Sequence, residues 1–459
     1  MQYAFRCTES QYSVMKKHLF PGDGNEAIAF VLCGRRKGKD RHVLVAQEVA
    51  LIPHEQCTRS PLYVDWNTDF VDPLITKAYG NGLAILKIHS HPGGLRRFSS
   101  TDDDSDQSIF ASVASLMGDD LPHGSMVMLP NGSIFGRILQ DGVISEPIDS
   151  IMVVGDDIKI WRSGLIGRPL EGFTRRHAQA FGRGTSELLR SCSAAVVGCS
   201  GTGSLVVELL ARLGIGRLIL VDPDVVEEKN LNRIVNSGKE DAYLGKPKVN
   251  VLASSIARMG LGTEVVPIYK NLASRDAVQA VAECDFAFGC MDGAEGRHLL
   301  NRLATYYLLP YFDVGVRLDA DGKGSIDGIW GSVHYLQPGL SSLLSREVYT
   351  LADVEAEGMR RTNPDLFAER RKAGYIKGVD EDRPAVISVN ALFSSLCVNE
   401  FLGRLHAYRN NPNSRYAEVA VNLGEMQFLT EEEGSICSVF RKHVGKGDIE
   451  PLLEMPSLS

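Results

Sequence analysis

Residues 193–222, SAAVVGCSGTGSLVVELLARLGIGRLILVD, decide the fold of the larger part of the chain. SAAVVG is a short apolar run ending in glycine and reads as a buried strand. GSLVVELLARLG carries its apolar residues at helical spacing, and GRLILVD is a second buried strand closed by an acid. Strand, Gly loop, helix and strand in that order leave the N–H groups of a helix N-terminus facing the loop, where phosphate can meet them. Gly198, Gly201 and Gly203 supply the tight turn and the close approach. Asp222 follows at about the 20-residue interval that lets an acid hold a ribose hydroxyl. A nicotinamide-dependent oxidoreductase would show the same pattern, so the loop alone leaves that reading open.

Further along, KPKVNVLASSIARMG, DFAFGC and HLLNRLATYYLL continue the alternation. They predict an α/β domain, Rossmann-like, with a mostly parallel sheet and crossover helices. LVDPDVVEEKNLNR, then GKPK, then CMDG leave the oxidoreductase reading without an account of NLNR and KPK. Over roughly residues 170–440 the series resembles the ThiF/MoeB and ubiquitin-like-activating enzymes, which adenylate the C-terminal carboxylate of small β-grasp proteins. The resemblance implies ATP and Mg²⁺ as cofactors. It implies that Asp222 binds ribose, that Asn230, Arg233 and Lys248 address the triphosphate, and that Asp292 helps hold Mg²⁺. Arg176, in RRHAQAFG, matches the arginine this family lends to the γ-phosphate, often across a dimer. The charge logic stands apart from the family: a carboxylate attacking a phosphate is anion meeting anion, so cations must neutralise both nucleophile and leaving group. Ser200 stands where the family commonly has another glycine, and a positive φ there would carry a cost.

The N-terminal part, residues 1–154, reads as α+β. Apolar runs at 25–34, 43–52, 83–89 and 124–130 predict strands, and NGS at 131–133 predicts a hairpin turn. Within it, His89-Ser90-His91 puts two imidazoles on one face of an extended segment, because the strand period is two. Asp102 can add an oxygen ligand, and three protein ligands plus water is a catalytic rather than a structural zinc arrangement. His-x-His, seven residues, Ser, two residues, Asp runs without gaps over 89–102 and resembles the JAMM (Mov34/MPN/PAD-1) metalloproteases. That resemblance implies Zn²⁺, Glu26 as general base and Ser99 as a donor to the tetrahedral intermediate. Asp103, Asp104 and Asp106 leave the choice of carboxylate open, with spacing favouring Asp102. Residues 155–185 read as a connector and N-terminal helix that open a second domain, 155–459.

ThiF/MoeB relatives often carry a zinc held by two Cys-x-x-Cys pairs. Here Ser342 and Ser345 replace the first pair and Cys437-Ser-Val-Phe440 keeps one sulfur, so no metal is expected in this domain. Residues 338–385, where a thioester cysteine would fall, contain none. Cys397 in an apolar helix reads as structural, and Cys437, in a polar setting, is the better thioester candidate.

The nine cysteines, odd in number and scattered, fit reduced thiols in a cytoplasmic protein. The N-terminus shows no signal-peptide pattern, and no run approaches the ~18 apolar residues of a membrane span. A net charge of −8 argues against a protein that coats nucleic acid or anionic membrane. The two resemblances together imply a bifunctional enzyme. A zinc (iso)peptidase would trim or release the tail of a ubiquitin-like or sulfur-carrier protein, and an adenylyltransferase, homodimeric through its domain, would activate that tail. A conjugating enzyme is a further expected partner. A non-catalytic scaffold for such a protein is the alternative from another class.

Overall fold

The computed structural model describes residues 1–118, 120–164, 172–321, 323–372 and 384–459. The chain forms two compact units. The first is Met1–Ile166 with Tyr306–Leu308 and His443–Glu454; the second is Gly167–Thr305, Leu309–Lys442 and Met455–Ser459.

The first unit runs β1 (Gln2–Thr8), α1 (Glu9–Leu19), β2 (Ile28–Lys37), β3 (Arg41–Leu51), β4 (Cys57–Arg59), β5 (Val64–Trp66), α2 (Asp72–Asn81), β6 (Ala84–Ser90) and α3 (Ser100–Met117). It continues through β7 (His123–Met128), β8 (Ile134–Gln140), β9 (Val143–Pro147), β10 (Ser150–Val154) and β11 (Lys159–Arg162). Nine strands form one sheet, β11-β10-β1-β3-β2-β6-β7-β8-β9, and β4 and β5 make a separate hairpin. The expected turn at NGS closes the β7–β8 hairpin, with Leu129 N bonded to Ser133 O at 2.9 Å.

Both faces of this sheet are covered, which is why its central strands read as continuous apolar runs. Along β2, Ala29, Val31 and Cys33 enter a core with Tyr12, Met15 and Leu19 of α1. The alternate residues Ile28, Phe30 and Leu32 enter the opposite core with Ile75 of α2 and Phe110 and Val113 of α3. The same alternation on β6 sends Ala84, Leu86 and Ile88 to the α1 side. Lys87 and His89 are thereby turned to the face that carries α2 and α3.

The sequence places a boundary between 154 and 155, and that point falls inside the sheet. β10 pairs parallel with β1 and antiparallel with β11, so the first unit takes in the start of the stretch read as connector, while α4 belongs to the second unit. Residues 443–454 also belong to this unit. Gly447 bridges Arg35, and the Asp448 carboxylate accepts from Lys37 N at 2.9 Å and Tyr307 OH at 2.7 Å. Nothing local in those residues announces a partner some 400 positions away.

The second unit runs α4 (Arg175–Ser191), β12 (Ser193–Val197), α5 (Gly201–Leu213), β13 (Arg217–Val221), α6 (Lys239–Tyr243), α7 (Lys248–Met259), β14 (Glu264–Ile268), α8 (Arg275–Ala282) and β15 (Phe286–Gly289). After α9 (Ala294–Tyr307) come β16 (Tyr311–Ala320), β17 (Ile326–Leu336), α10 (Leu351–Thr362), α11 (Pro364–Lys372), α12 (Ile387–Leu405), β18 (Glu418–Asn422) and β19 (Gln427–Glu431). The sheet order is β14-β13-β12-β15-β16-β17-β18-β19. Pairings from β14 through β16 are parallel, as the alternation predicts, and β17, β18 and β19 extend the sheet as an antiparallel meander. β12 lies between β13 and β15, so the chain reverses direction across the sheet beside it. The crevice at the C-terminal ends of β12 and β15 is therefore where such a sheet binds ligands. Among the described residues no helix is long and apolar enough to cross a membrane.

Three buried histidines, His42, His123 and His334, and the half-buried His298 are held in the neutral form. Burial pushes His42, His123 and His334 down to about 3 and His298 to about 4. An unfolded histidine titrates near 6.5, so the unfolded chain takes up these protons first as pH falls. Stability to urea is expected to drop from pH 6.5 towards pH 4, each group contributing up to about 1.4 kcal/mol per pH unit. His334→Gln should make that slope shallower; a slope unchanged by the substitution would show that His334 is not held neutral.

Candidate metal centre and nucleotide loop

His89 is the penultimate residue of β6 and His91 lies two residues on, just past the strand end, so both rings leave the same face. Their Nε2 atoms stand 3.1 Å apart. Asp102 Oδ1 is 2.9 Å from His89 Nε2, and Asp102 Oδ2 is 3.4 Å from His91 Nε2. Ligands at 2.0–2.1 Å from a tetrahedral zinc stand about 3.3 Å from one another, and one ligand atom from each of these residues lies within 4.8 Å of the other two, close enough to share such an ion. His91 Nδ1 meets the Leu95 carbonyl at 2.8 Å, the outer bond that leaves Nε2 as the ligating nitrogen. Burial holds the His89 imidazole below its ordinary range, which keeps it neutral and able to ligate. Among the described residues this is the group of His, Cys, Asp and Glu whose ligand atoms converge for a metal.

Helix α3 chooses the carboxylate. Ser99 is its N-cap and Asp102 its N3 residue, and the two form a capping box. Asp102 Oδ2 accepts from Ser99 N at 2.6 Å and from Ser99 Oγ at 2.8 Å, while Asp102 N donates to Ser99 Oγ at 3.2 Å. This bends the Asp102 carboxylate back over the first turn towards the histidines. The neighbouring acids go elsewhere. Asp106 is fully buried between Lys87 and Arg137, Asp103 pairs with Arg137, and Asp104 is exposed.

Glu26 precedes β2 instead of lying within it. Ile28 pairs with His89 in the β2–β6 ladder, and carrying that register two residues further sets Glu26 opposite His91. Glu26 Oε1 lies 4.0 Å from His91 Nε2, its backbone held by Arg59 Nε at 2.7 Å and by Ser60 O at 2.8 Å. Burial pushes its carboxyl up to about 7. Sequence reasoning passed over Lys87, and weighed Asp106 only as a rival ligand; the available signal was a lysine inside the otherwise apolar run LAILKIH.

In the second unit the Gly loop joins β12 to α5. Gly198 has φ +89°, and a Cβ there would lie 2.7 Å from Cys290 O. A Cβ at Gly203 would lie 1.8 Å from Gly198 O, so this glycine is required by the helix packing onto the strand end. Ser200 is the N-cap of α5 with φ −92°; no positive φ is asked of it and the expected cost does not arise. Its side chain makes no capping bond, which leaves the first-turn N–H groups from Gly201 onward open to an anion.

Asp222 follows β13 and is buried. It accepts Cys199 N at 2.6 Å and Asp224 N at 2.8 Å, and burial raises its carboxyl. Lys248 starts α7, with Nζ 2.7 Å from Asp224 Oδ2 and 3.9 Å from Asp222 Oδ1. Arg233 reaches the loop helix, since a Cβ at Gly201 would meet its Cδ at 3.2 Å. Asn230 turns its Oδ1 to Glu227 N at 3.1 Å, a local capping bond. Asp292 is exposed in the segment between β15 and α9, directly after Cys290 and Met291, which lie against Gly198. Arg176 is exposed on the first turn of α4. Asn390 of α12 went unnoticed in the sequence, yet its amide is the group nearest a Cβ at Gly201, at 2.2 Å.

Of the two cysteines, the reading of Cys437 as open is corrected, whereas Cys397 lies buried as its apolar helix leads one to expect. Cys437 is 2% exposed despite its polar sequence setting, because its N–H bonds Leu340 O at 3.0 Å and tucks the residue inward. Cys397 is fully buried and its thiol is held well above its ordinary range by burial. Neither thiol is exposed to a partner. Ser342 and Ser345 satisfy one another, Ser342 N to Ser345 Oγ at 2.9 Å and Ser345 N to Ser342 Oγ at 3.2 Å.

The metal geometry predicts one zinc per chain by atomic absorption after dialysis. His91→Ala and Asp102→Ala should lose it, and Asp104→Ala should retain it. Full zinc in Asp102→Ala would overturn the ligand set.

Comparison with known proteins agrees with this division. The ThiF family model matches residues 174–439, and the model for prokaryotic homologs of the JAB domain matches residues 8–134. The adenylyltransferase and sulfurtransferase MOCS3 of Danio rerio is 37% identical over 113 residues, 25% of this chain and 24% of that protein. Ubiquitin-like modifier-activating enzyme 5 of Bombyx mori is 28% identical over 167 residues, 34% of this chain and 40% of the relative. The chain thus spans well under half the length of these curated relatives. Among solved structures, E. coli MccB with MccA-N7isoASN aligns at TM-score 0.46 and 19% identity, covering 59% of this chain and 75% of that one. With more than half of its length matched by that family's model, the chain belongs to the ThiF family.

Proposed function

We propose that the chain is a bifunctional enzyme acting on one protein tail. One half is an ATP-dependent adenylyltransferase for the C-terminal carboxylate of a ubiquitin-like or sulfur-carrier protein, and the other is a zinc-dependent (iso)peptidase that trims or releases the same tail. The observation that carries the hydrolase reading is the convergence of His89, His91 and Asp102, with the raised carboxyl of Glu26 at 4.0 Å. Membership of the ThiF family, with an uncapped helix after the Gly loop, supports adenylation.

At the first site His89, His91 and Asp102 would hold zinc, which when bound supplies Lewis acidity and an acidified water. Glu26 takes a proton on its carboxylate and returns it to the leaving amine, a role suited to a carboxyl poised near neutrality. Ser99 donates to Asp102 and keeps that ligand aimed; turning the same hydroxyl towards the substrate's oxyanion requires it to leave this bond.

At the second site the substrate carboxylate attacks the α-phosphorus and pyrophosphate departs. The open N–H groups of α5, Lys248 and Arg233 offset the charge of the phosphates, Asp222 holds the ribose, and Asp292 would hold Mg²⁺. Arg176, exposed on its own chain, is free to be lent to a second copy in a homodimer. A conjugating enzyme that receives the activated tail completes the reading. With Cys397 and Cys437 buried, transfer goes directly to an external acceptor and not through a thioester on this chain.

The test of adenylation is ATP–pyrophosphate exchange dependent on a candidate ubiquitin-like protein. Asp292→Ala is expected to lower the rate by about 10²-fold, the usual consequence of removing one electrostatic contact to a transition state. Unchanged exchange in that variant would sink the assignment. For the hydrolase, cleavage of a tail-extended precursor should vanish with Glu26→Ala and with a chelator, and survival of both would exclude the mechanism.

A further inference from the structure

Asp292 lies in the short turn between β15 and α9, and that turn is held from both flanks. On one side Met291 is wedged between two glycines. Its Cγ would lie 3.1 Å from a Cβ at Gly198, and its Sδ 2.5 Å from a Cβ at Gly296. On the other side stands a residue from another helix. Gly293 immediately precedes α9, and its carbonyl accepts the first helical bond, from Arg297 N at 3.3 Å. A glycine has no side chain to cap the open N–H groups of that first turn. Glu357 of α10 supplies the cap from 62 positions away, its Oε2 accepting from Glu295 N at 2.9 Å. The atoms nearest a Cβ at Gly293 all belong to Glu357, the first at 2.8 Å, so the missing side chain admits this carboxylate. One turn further along α10, Arg361 grips the side chain of the same residue, with Nε 3.0 Å and Nη2 2.7 Å from the Glu295 carboxylate. Between these anchored flanks Asp292 is exposed. An exposed carboxylate beside a phosphate-binding loop suits a hard divalent cation, which takes its oxygens from one or two carboxylates and the substrate's phosphates.

We propose that Glu357 is a positioning residue for the adenylation site: by capping α9 it fixes the direction of Asp292, and so sets how strongly Mg²⁺ tightens ATP binding. This rests on the adenylation reading and names a residue that acts on that site from outside it. A helix whose first N–H groups lack an acceptor frays over its first turn, and the residue just before that turn loosens with it. Without the cap Asp292 would sample several directions, and the entropy of ordering it again would oppose metal binding. The charge of Glu357 acts in the same sense, because an anion is favoured at a helix N-terminus. Glu357 touches neither metal nor nucleotide in this role; it acts through the backbone of residues 293–295.

The experiment measures ATP affinity of the whole chain by calorimetry, with and without Mg²⁺, and Asp292→Ala marks complete loss of the metal's contribution. Glu357→Ala is expected to reduce the gain from Mg²⁺ by about fivefold, the usual effect of a lost helix cap. Affinity without Mg²⁺ should stay within about twofold of wild type, since α5, Lys248 and Arg233 are untouched. Glu357→Gln keeps an acceptor for Glu295 N and should restore most of the gain. Gly293→Ala, whose Cβ displaces the Glu357 carboxylate, should mimic Glu357→Ala, and the double variant should be no worse than either alone. An undiminished gain in both single variants, an equal loss of affinity with and without Mg²⁺, or additive losses in the double variant overturns the proposal. A wild-type protein whose ATP affinity Mg²⁺ does not raise overturns it together with the assignment of Asp292. The expected pattern in a protein that shows no ATP–pyrophosphate exchange with any ubiquitin-like protein would instead overturn the adenylation reading and leave the positioning role standing.

Discussion

The N-terminal site depends on one register, that of helix α3 against strand β6. Lys87 and His89 are two apart on the strand, about 6.6 Å, and Asp106 and Asp102 are four apart on the helix, about 6.0 Å. The near match lets Lys87 meet Asp106 while His89 meets Asp102. The inner pair is buried on both sides, and breaking such a pair by removing one partner costs about 3–5 kcal/mol, so the helix has little freedom to slide. Once α3 is pinned, its capping box sets the last degree of freedom, the direction of the Asp102 carboxylate. The acid that reaches the histidines is thus selected by helix phase and capping, and its three acidic neighbours are turned to cations or water.

A different economy holds in the ThiF unit. There the backbone makes the site: β12 ends at a glycine with positive φ, α5 begins without a side-chain cap, and two neighbouring elements press so closely that a Cβ at Gly198 or Gly203 would collide with main chain. The glycines are held by packing of the chain on itself, and the open N–H groups follow as a consequence. Asp222 links the two levels, since one buried carboxylate accepts the loop's own N–H and stands near Lys248. Its raised proton affinity reflects burial that the single lysine does not fully offset.

Particular residues show how far local pattern carries. The strands of the first unit were legible because burial on two faces demands unbroken apolar runs, and the Gly loop because few backbones tolerate its turn. Glu26 was legible through its position before a strand, though the reason it meets His91 is the β2–β6 ladder. Cys437 misled, because a polar neighbourhood in sequence says nothing about which side of the residue faces the interior. The boundary near 154 was drawn at a change in composition, whereas the sheet continues to β11 and takes in residues 443–454, whose pairing is wholly non-local.

By itself, then, the sequence determined the types of chemistry: two imidazoles at strand period, a Ser and an Asp at fixed spacing after them, and a glycine-led helix N-terminus between buried strands. These are short-range facts, set by periodicity and by the donors each residue carries. Only the tertiary structure decided which carboxylate joins His89 and His91, that Ser200 needs no glycine conformation, that neither thiol is open to a partner, and that Lys87 is buried against Asp106. Each of those turns on the register between elements far apart in the chain, and register is settled by packing and buried charge pairing that no local window contains.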